Sequence, residues 1–170
     1  GQWVVSGAAK KGFDLTRENA DYGMIFDDKA VIVGQSAEKL TVYFNMGGKP
    51  GSYTKSTAFT YDPDTKLYSA AQHGGAYVDA STGKTVTFRN ILVLRMATSV
   101  QSDGQLLTIN TTGSGSGYFI CNGQLVNIKW SRNSATQPFT YTLENGTPIT
   151  FGVGSTYIGV VPTNATIVFE

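Results

Sequence analysis

Apolar and polar residues alternate at period two along much of the chain, and that pattern predicts short strands joined by tight turns. In residues 39–44, Leu40, Val42 and Phe44 fall on one side and Thr41 and Tyr43 on the other, the mark of a half-buried strand. Residues 57–61 and 67–70 flank Asp62-Pro63-Asp64-Thr65-Lys66. Pro63 presets φ for a turn and Asp62 can accept from the backbone beyond it, so 57–70 reads as a hairpin. His73-Gly74-Gly75 ends the returning strand, and Ser81-Thr82-Gly83-Lys84 makes another turn. Residues 85–96 form a long run with buried character that includes Ile91-Leu92-Val93-Leu94.

The C-terminal half carries the same signals. Residues 105–110 read as a strand and Gly113-Ser114-Gly115-Ser116-Gly117 as a flexible crossing. Tyr118-Phe119-Ile120-Cys121 is a strand, Asn122-Gly123 is a strong two-residue hairpin signal, and residues 124–130 return. Residues 140–143 and 148–151 around Glu144-Asn145-Gly146 predict one more hairpin, and 156–161 and 166–169 close the chain. Ala30-Val31-Ile32-Val33 reads as a short strand ended by Gly34. Ahead of it the pattern weakens: residues 2–6 suit a short strand, and residues 8–22 mix helix formers with Gly12.

The expected fold is therefore all-β, an antiparallel sandwich or partly open barrel, preceded by a short irregular or helical arm. The domain reading is residues 1–25 as arm or linker and 26–170 as a single β domain. At 170 residues, the chain is long enough for a full hydrophobic core.

Composition narrows the chemistry. Thirteen basic and twelve acidic residues give a net charge of +1, and charged residues are only 15% of the chain. Ser, Thr, Asn, Gln and Gly supply the polarity, as on many extracellular β surfaces. This balance gives no electrostatic reason to expect a nucleic acid partner. One Cys and one His leave no intrachain disulfide and no metal site needing several such ligands, and no cofactor is implied. No stretch reads as a signal peptide or a membrane span, so an exported protein would present here as its mature or excised part.

Tyr61-Asp62, Leu67-Tyr68, Gly75, Asp79, Thr82-Gly83 and Asn90-Ile91-Leu92-Val93 follow one another in an order shared by a bacterial family. So do Gly113-Ser114-Gly115, Tyr118-Phe119, Asn122-Gly123, Lys129-Trp130, Thr140, Asn145-Gly146, Ile149, Gly154 and Tyr157-Ile158. Across residues 25–165 the chain resembles the C-terminal domain of the YerB-like lipoproteins, a family of unknown function. The resemblance implies an extracytoplasmic domain, attached to the membrane only through a lipid anchor outside this chain, with a further N-terminal domain in the full-length protein. It supplies no catalytic residue.

Several residues could carry chemistry. Cys121 beside His73, with Asp79 orienting the imidazole, would make a nucleophilic pair of the kind some cell-wall enzymes use. Against it, Cys121 shares a strand face with Phe119, which predicts burial as a small apolar residue. The Gly113 to Gly117 stretch lacks the helix and Lys of a phosphate loop. Asp62 and Asp64 sit in a turn, with Lys66 opposing a cation, and Asp27-Asp28 is similar. Asp79, Asp103 and Glu144 are available as paired carboxylates, each near a turn. Trp130 with Lys129 and Arg132, extended by Tyr68, Tyr77 and Tyr157, could stack on a sugar; the competing reading makes Trp130 a core aromatic. Asp79 and Asn90 could bind ligand or satisfy backbone groups at strand ends. Three functions stay open: a non-enzymatic envelope module binding a protein, peptide or cell-wall glycan; a cell-wall enzyme using Cys121, His73 and Asp79; or a structural spacer.

Overall fold

The structure is a computed structural model that describes residues 2–12, 23–46, 49–51, 54–104 and 106–170. The chain opens with helix α1 (Gln2–Lys10). This overturns the short strand expected over residues 2–6. Ala8 and Ala9 favour helix, and Lys10 in the last turn complements the helix dipole. The strands that follow are β1 (Ile25–Asp27), β2 (Gln35–Ser36), β3 (Lys39–Tyr43), β4 (Ser56–Asp62), β5 (Leu67–Gln72), β6 (Gly75–Ala76), β7 (Thr87–Phe88) and β8 (Asn90–Met96). They continue with β9 (Thr98–Val100), β10 (Leu107–Ile109), β11 (Gly113–Cys121), β12 (Gln124–Arg132), β13 (Thr140–Leu143), β14 (Thr150–Gly152), β15 (Thr156–Pro162) and β16 (Ile167–Phe169).

Two mixed or antiparallel sheets make a sandwich, the first of the two expected forms. One has the order β13-β12-β11-β8-β15, with β2 also on β12; the other runs β16-β3-β4-β5-β6, with β7 also on β5. Leu40, Val42, Phe59, Tyr68 and Ala70 of the second sheet pack against Ile91, Val93, Ile120, Leu125 and Val161 of the first. Tyr68 ties the layers together. Its buried hydroxyl donates to the Ala37 carbonyl (3.3 Å) and accepts from the Gly123 amide (2.8 Å).

The first sheet is also covered on its outer side. Leu92, Leu94, Met96, Phe119, Cys121, Ile128, Trp130, Tyr141, Ile149 and Phe151 form a second core there. That explains the unbroken apolar run of β8: Ile91 and Val93 face one core, Leu92, Leu94 and Met96 the other. The antiparallel expectation needs one amendment. β15 runs parallel to β8, and β1 runs parallel to β14. Parallel neighbours need long connections, here the whole β9–β14 segment, which a local reading of turns does not register.

Some turns follow the residue chemistry closely. Asp62 Oδ1 accepts from the Asp64 amide (2.9 Å) between β4 and β5. Asn122 and Gly123, both at positive φ (53° and 72°), close the two-residue hairpin of β11 and β12, the geometry the strand twist favours. His73 (φ 49°) and Gly74 (φ 80°) do the same for β5 and β6.

Other expectations fail. Residues 30–33 form no strand, and Val31 and Val33 are 78% and 90% exposed. The Ala30 carbonyl is taken by the Asn122 side chain instead of a strand neighbour. Of the strand expected over 105–110, Leu107–Ile109 pairs with β9, its side chains exposed; residue 105 lies outside the described residues. The return expected over 148–151 pairs with β13 only near its start, and β14 then joins β1.

Candidate functional site

The candidate nucleophile sits in a core. Cys121 is 1% exposed in the outer cluster with Phe119 and Phe151. Burial pushes its thiol pKa up, partly offset by the charge of Arg89 and by the Gly152 and Asn122 amides. His73 is exposed in the β5–β6 turn of the other sheet. Neither His73 nor Asp79 is among the groups acting on the thiol. A thiol-specific reagent near neutral pH is expected to leave Cys121 unmodified in the folded chain and to label it promptly in denaturant. Rapid labelling of the folded chain, titrating well below the free-thiol pKa of about 8.5, would show an activated thiolate instead.

Most of the remaining candidates are absorbed by local structure. Asp79 is exposed. The hydroxyl and amide of Thr82 and the amide of Ser81 hold its carboxyl below the usual range and close a turn. Asp103 Oδ1 accepts from the Leu106 amide in the β9–β10 turn, and Asp27 Oδ1 accepts from Lys29. Asn90, fully buried, exchanges hydrogen bonds with both backbone groups of Gly152 and donates to Thr156 Oγ1. Trp130 is 3% exposed, its Nε1 donating to the Arg95 carbonyl (3.0 Å). Arg132 lies over Phe139, 4.8 Å from its centroid, and donates to the carbonyls of Gln137 and Ala135. Tyr68 is core, and Tyr157 packs against Phe59 and Phe88. The sugar-stacking cluster is thus taken apart: Trp130 and Tyr68 face inward, and Arg132 clamps its own loop. No group of three or more metal-ligating side chains occurs among the described residues.

The surface best placed to bind is one the sequence reading misses. Residues 113–117 are no flexible crossing. They are the first half of β11, in register with β12 from Gly113 opposite Arg132 to Cys121 opposite Gln124. Gly115 is required there by contact: a Cβ would lie 2.7 Å from Trp130 Nε1 and 2.8 Å from the Arg95 carbonyl. The alternating serines project from the opposite face. Three polar rows result: Ser114, Ser131 and Thr140; Ser116, Lys129 and Thr142; Tyr118 and Asn127. By period two, this is the face that further along carries Ile120 and Leu125 into the sandwich core. The second sheet reaches it at Tyr118, where the Phe169 ring packs edge-on at 5.7 Å. Beyond that point Ser114, Ser116, Asn127, Lys129 and Thr140 are exposed.

Two depressions border the rows. An open groove of about 640 Å³ lies between Gln35, Asn127, Glu144, Asn145 and Phe169. A smaller pocket of about 280 Å³ is lined by Arg95, Asn110, Thr112, Ser114, Ser116 and Thr163. Within a row, residues on neighbouring strands stand about 4.8 Å apart, and successive rows along the strands are about 6.7 Å apart. The rows contain no Asp, Glu, His or Cys and present hydrogen-bond donors and acceptors with one cation, Lys129.

A family model described as protein of unknown function (DUF3048), C-terminal domain, matches residues 49–158. The chain belongs to the DUF3048 C-terminal domain family. The match spans both sheets and contains the polar rows. No curated protein matches. A crystal structure of the YerB protein from Bacillus subtilis superposes with a TM-score of 0.75 at 22% identity, covering 98% of this chain and 53% of that one. The chain thus spans about half the length of that structure. At this identity the likeness shows a shared fold, and the YerB-like resemblance read from the residues holds. A DUF3048 C-terminal domain carries no assigned activity, so function has to be argued from the site itself.

Two signals could have exposed this face. Gly-Ser-Gly-Ser-Gly alternates at period two straight into Tyr118-Phe119-Ile120, so it continues a strand; its glycine content suggested a loop. Arg95 is the one charge in β8, which is apolar from Ile91 to Leu94, a position that calls for a reason.

Proposed function

We propose that this domain is a non-catalytic binding module of the bacterial cell envelope that holds a hydroxyl-rich wall glycan on the open polar face of its first sheet. The observation that carries the reading is the uncovered array of Ser, Thr, Asn and Lys on β11, β12 and β13. An array on paired strands places donors and acceptors with little backbone ordering cost at binding, which suits many weak, directional contacts to sugar hydroxyls. The envelope location rests on the lipoprotein resemblance, as does attachment through an anchor outside this chain.

The test is retention on insoluble, purified wall glycan. Ser116→Phe would place a ring in the middle row at an exposed site, so its melting temperature should stay within a degree or two of the parent. Retention should fall at least tenfold. Thr60→Phe, exposed on β4 of the other sheet, should bind like the parent. A parent chain that is not retained, or a Ser116→Phe chain retained equally well, would defeat the reading.

A further inference from the structure

We infer that Arg95 forms a carboxylate subsite at the end of this face, so that the glycan it takes is an acidic one; this rests on the binding-module reading above. Arg95 stands on β8, and its guanidinium lies 5.6 Å from the centroid of Tyr118, the residue at which the polar rows begin. The side chain is half-buried. Both hydrogen bonds it makes are donated by Nη1, to the carbonyls of Thr163 (2.8 Å) and Ala165 (2.9 Å). Those bonds fix the guanidinium and leave its Nε–Nη2 edge without an acceptor among the described residues. That edge carries parallel N–H groups, which match the two oxygens of a carboxylate.

No carboxylate among the described residues pairs with Arg95. Among the described residues the ion pair found is Lys39 with Glu170, on β3 and at the chain end. The polar partners of Arg95 in the pocket lining are all neutral, Asn110, Thr112, Ser114, Ser116 and Thr163, and Ala97, Gly115 and Trp130 complete it. A half-buried charge is costly without a counter-charge, so an arriving anion gains more here than at a solvated lysine. Lys129, opposite Ser116 on β12, adds a second positive charge two strands from β8. One planar cation edge ringed by hydroxyls is suited to one planar anion attached to a polyhydroxyl ligand. The alternative assignment, Arg95 as a strut for the 163–165 turn, accounts for Nη1 but leaves the other edge and the pocket unused.

The experiment compares binding to purified wall glycan strands with their carboxyls intact and to the same strands after reduction of the carboxyls to alcohols. The parent chain is expected to bind the intact strands at least tenfold more tightly. Arg95→Gln should bring the ratio to about one while keeping the affinity for reduced strands. Because Arg95 also holds a turn, a second variant tests the point without touching it. Ser114→Asp, at an exposed site in the pocket lining, supplies an internal carboxylate and should abolish the discrimination in a chain of unchanged melting temperature. Equal binding of both strands by the parent chain would overturn the subsite and leave the binding module standing. A parent chain that binds neither would overturn both.

Discussion

Phe151→Ala is expected to destabilise the domain by about 3–5 kcal/mol, the range for deleting a fully buried aromatic. Phe151 is 0% exposed and stands at the centre of the outer core. Its ring meets Phe119 at 4.9 Å, Phe26 at 5.4 Å and Tyr141 at 5.9 Å. It therefore joins β1, β11, β13 and β14, which no sheet pairing joins all together. Truncation would remove a ring from four elements at once, and the strands around it are too firmly paired to collapse into the space. Equilibrium denaturation in urea should show a lower midpoint. Val153→Ala, two residues on and 61% exposed, should change stability by less than about 0.5 kcal/mol. A Phe151→Ala loss below about 1 kcal/mol would show that the outer cluster is not a packed core.

Asn90→Leu is expected to cost about 2–5 kcal/mol, by a different mechanism. The side chains are similar in size, so the loss comes from hydrogen bonding. Asn90 Oδ1 accepts from the Gly152 amide (2.9 Å), and Nδ2 donates to the Gly152 carbonyl (2.8 Å) and Thr156 Oγ1 (3.1 Å). Leucine would leave the Gly152 carbonyl without its side-chain donor and its amide with only the Cys121 thiol, at about 1–3 kcal/mol for each buried group left poorly satisfied. Gly152 ends β14 and Thr156 begins β15, so Asn90 is the pin between two strands that do not pair with each other. Amide hydrogen exchange should report this locally, with lost protection at Gly152 exceeding that at Val42 in the other sheet. A Leu variant as stable as the parent would mean that Gly152 finds other partners without cost. The same geometry resolves the two readings open for Asn90 in favour of backbone satisfaction at strand ends.

How far the sequence could be read depended on the range of the interaction concerned. Asp62, Asp79, Asn122 and Gly123 act within a few residues of themselves, and their turns came out as their chemistry dictates. The burial of Cys121 followed from its strand face, which it shares with Phe119. Residues 30–33 misled because β-branched apolar residues suit a strand, but a strand also needs a free edge to join. Here the Asn122 side chain takes the Ala30 carbonyl. Trp130 and Lys129 looked like one surface cluster because they are adjacent in sequence. In a strand, adjacency puts them on opposite faces, and the indole fills the space above Gly115.

The sequence by itself determined that the chain is all-β and where most of its strands turn, because period-two patterning and turn chemistry are local properties; the order and spacing of its motifs carried the family resemblance. Only the tertiary structure decided which strands are neighbours. β15 lies parallel to β8, more than sixty positions earlier, and that choice turns on packing in both cores at once. The tertiary structure also decided where the candidate site lies. Ser114, Ser116, Lys129 and Thr142 form a surface because the second sheet stops where its Phe169 meets Tyr118 of the first, and the extent of one sheet over another is set by the whole fold.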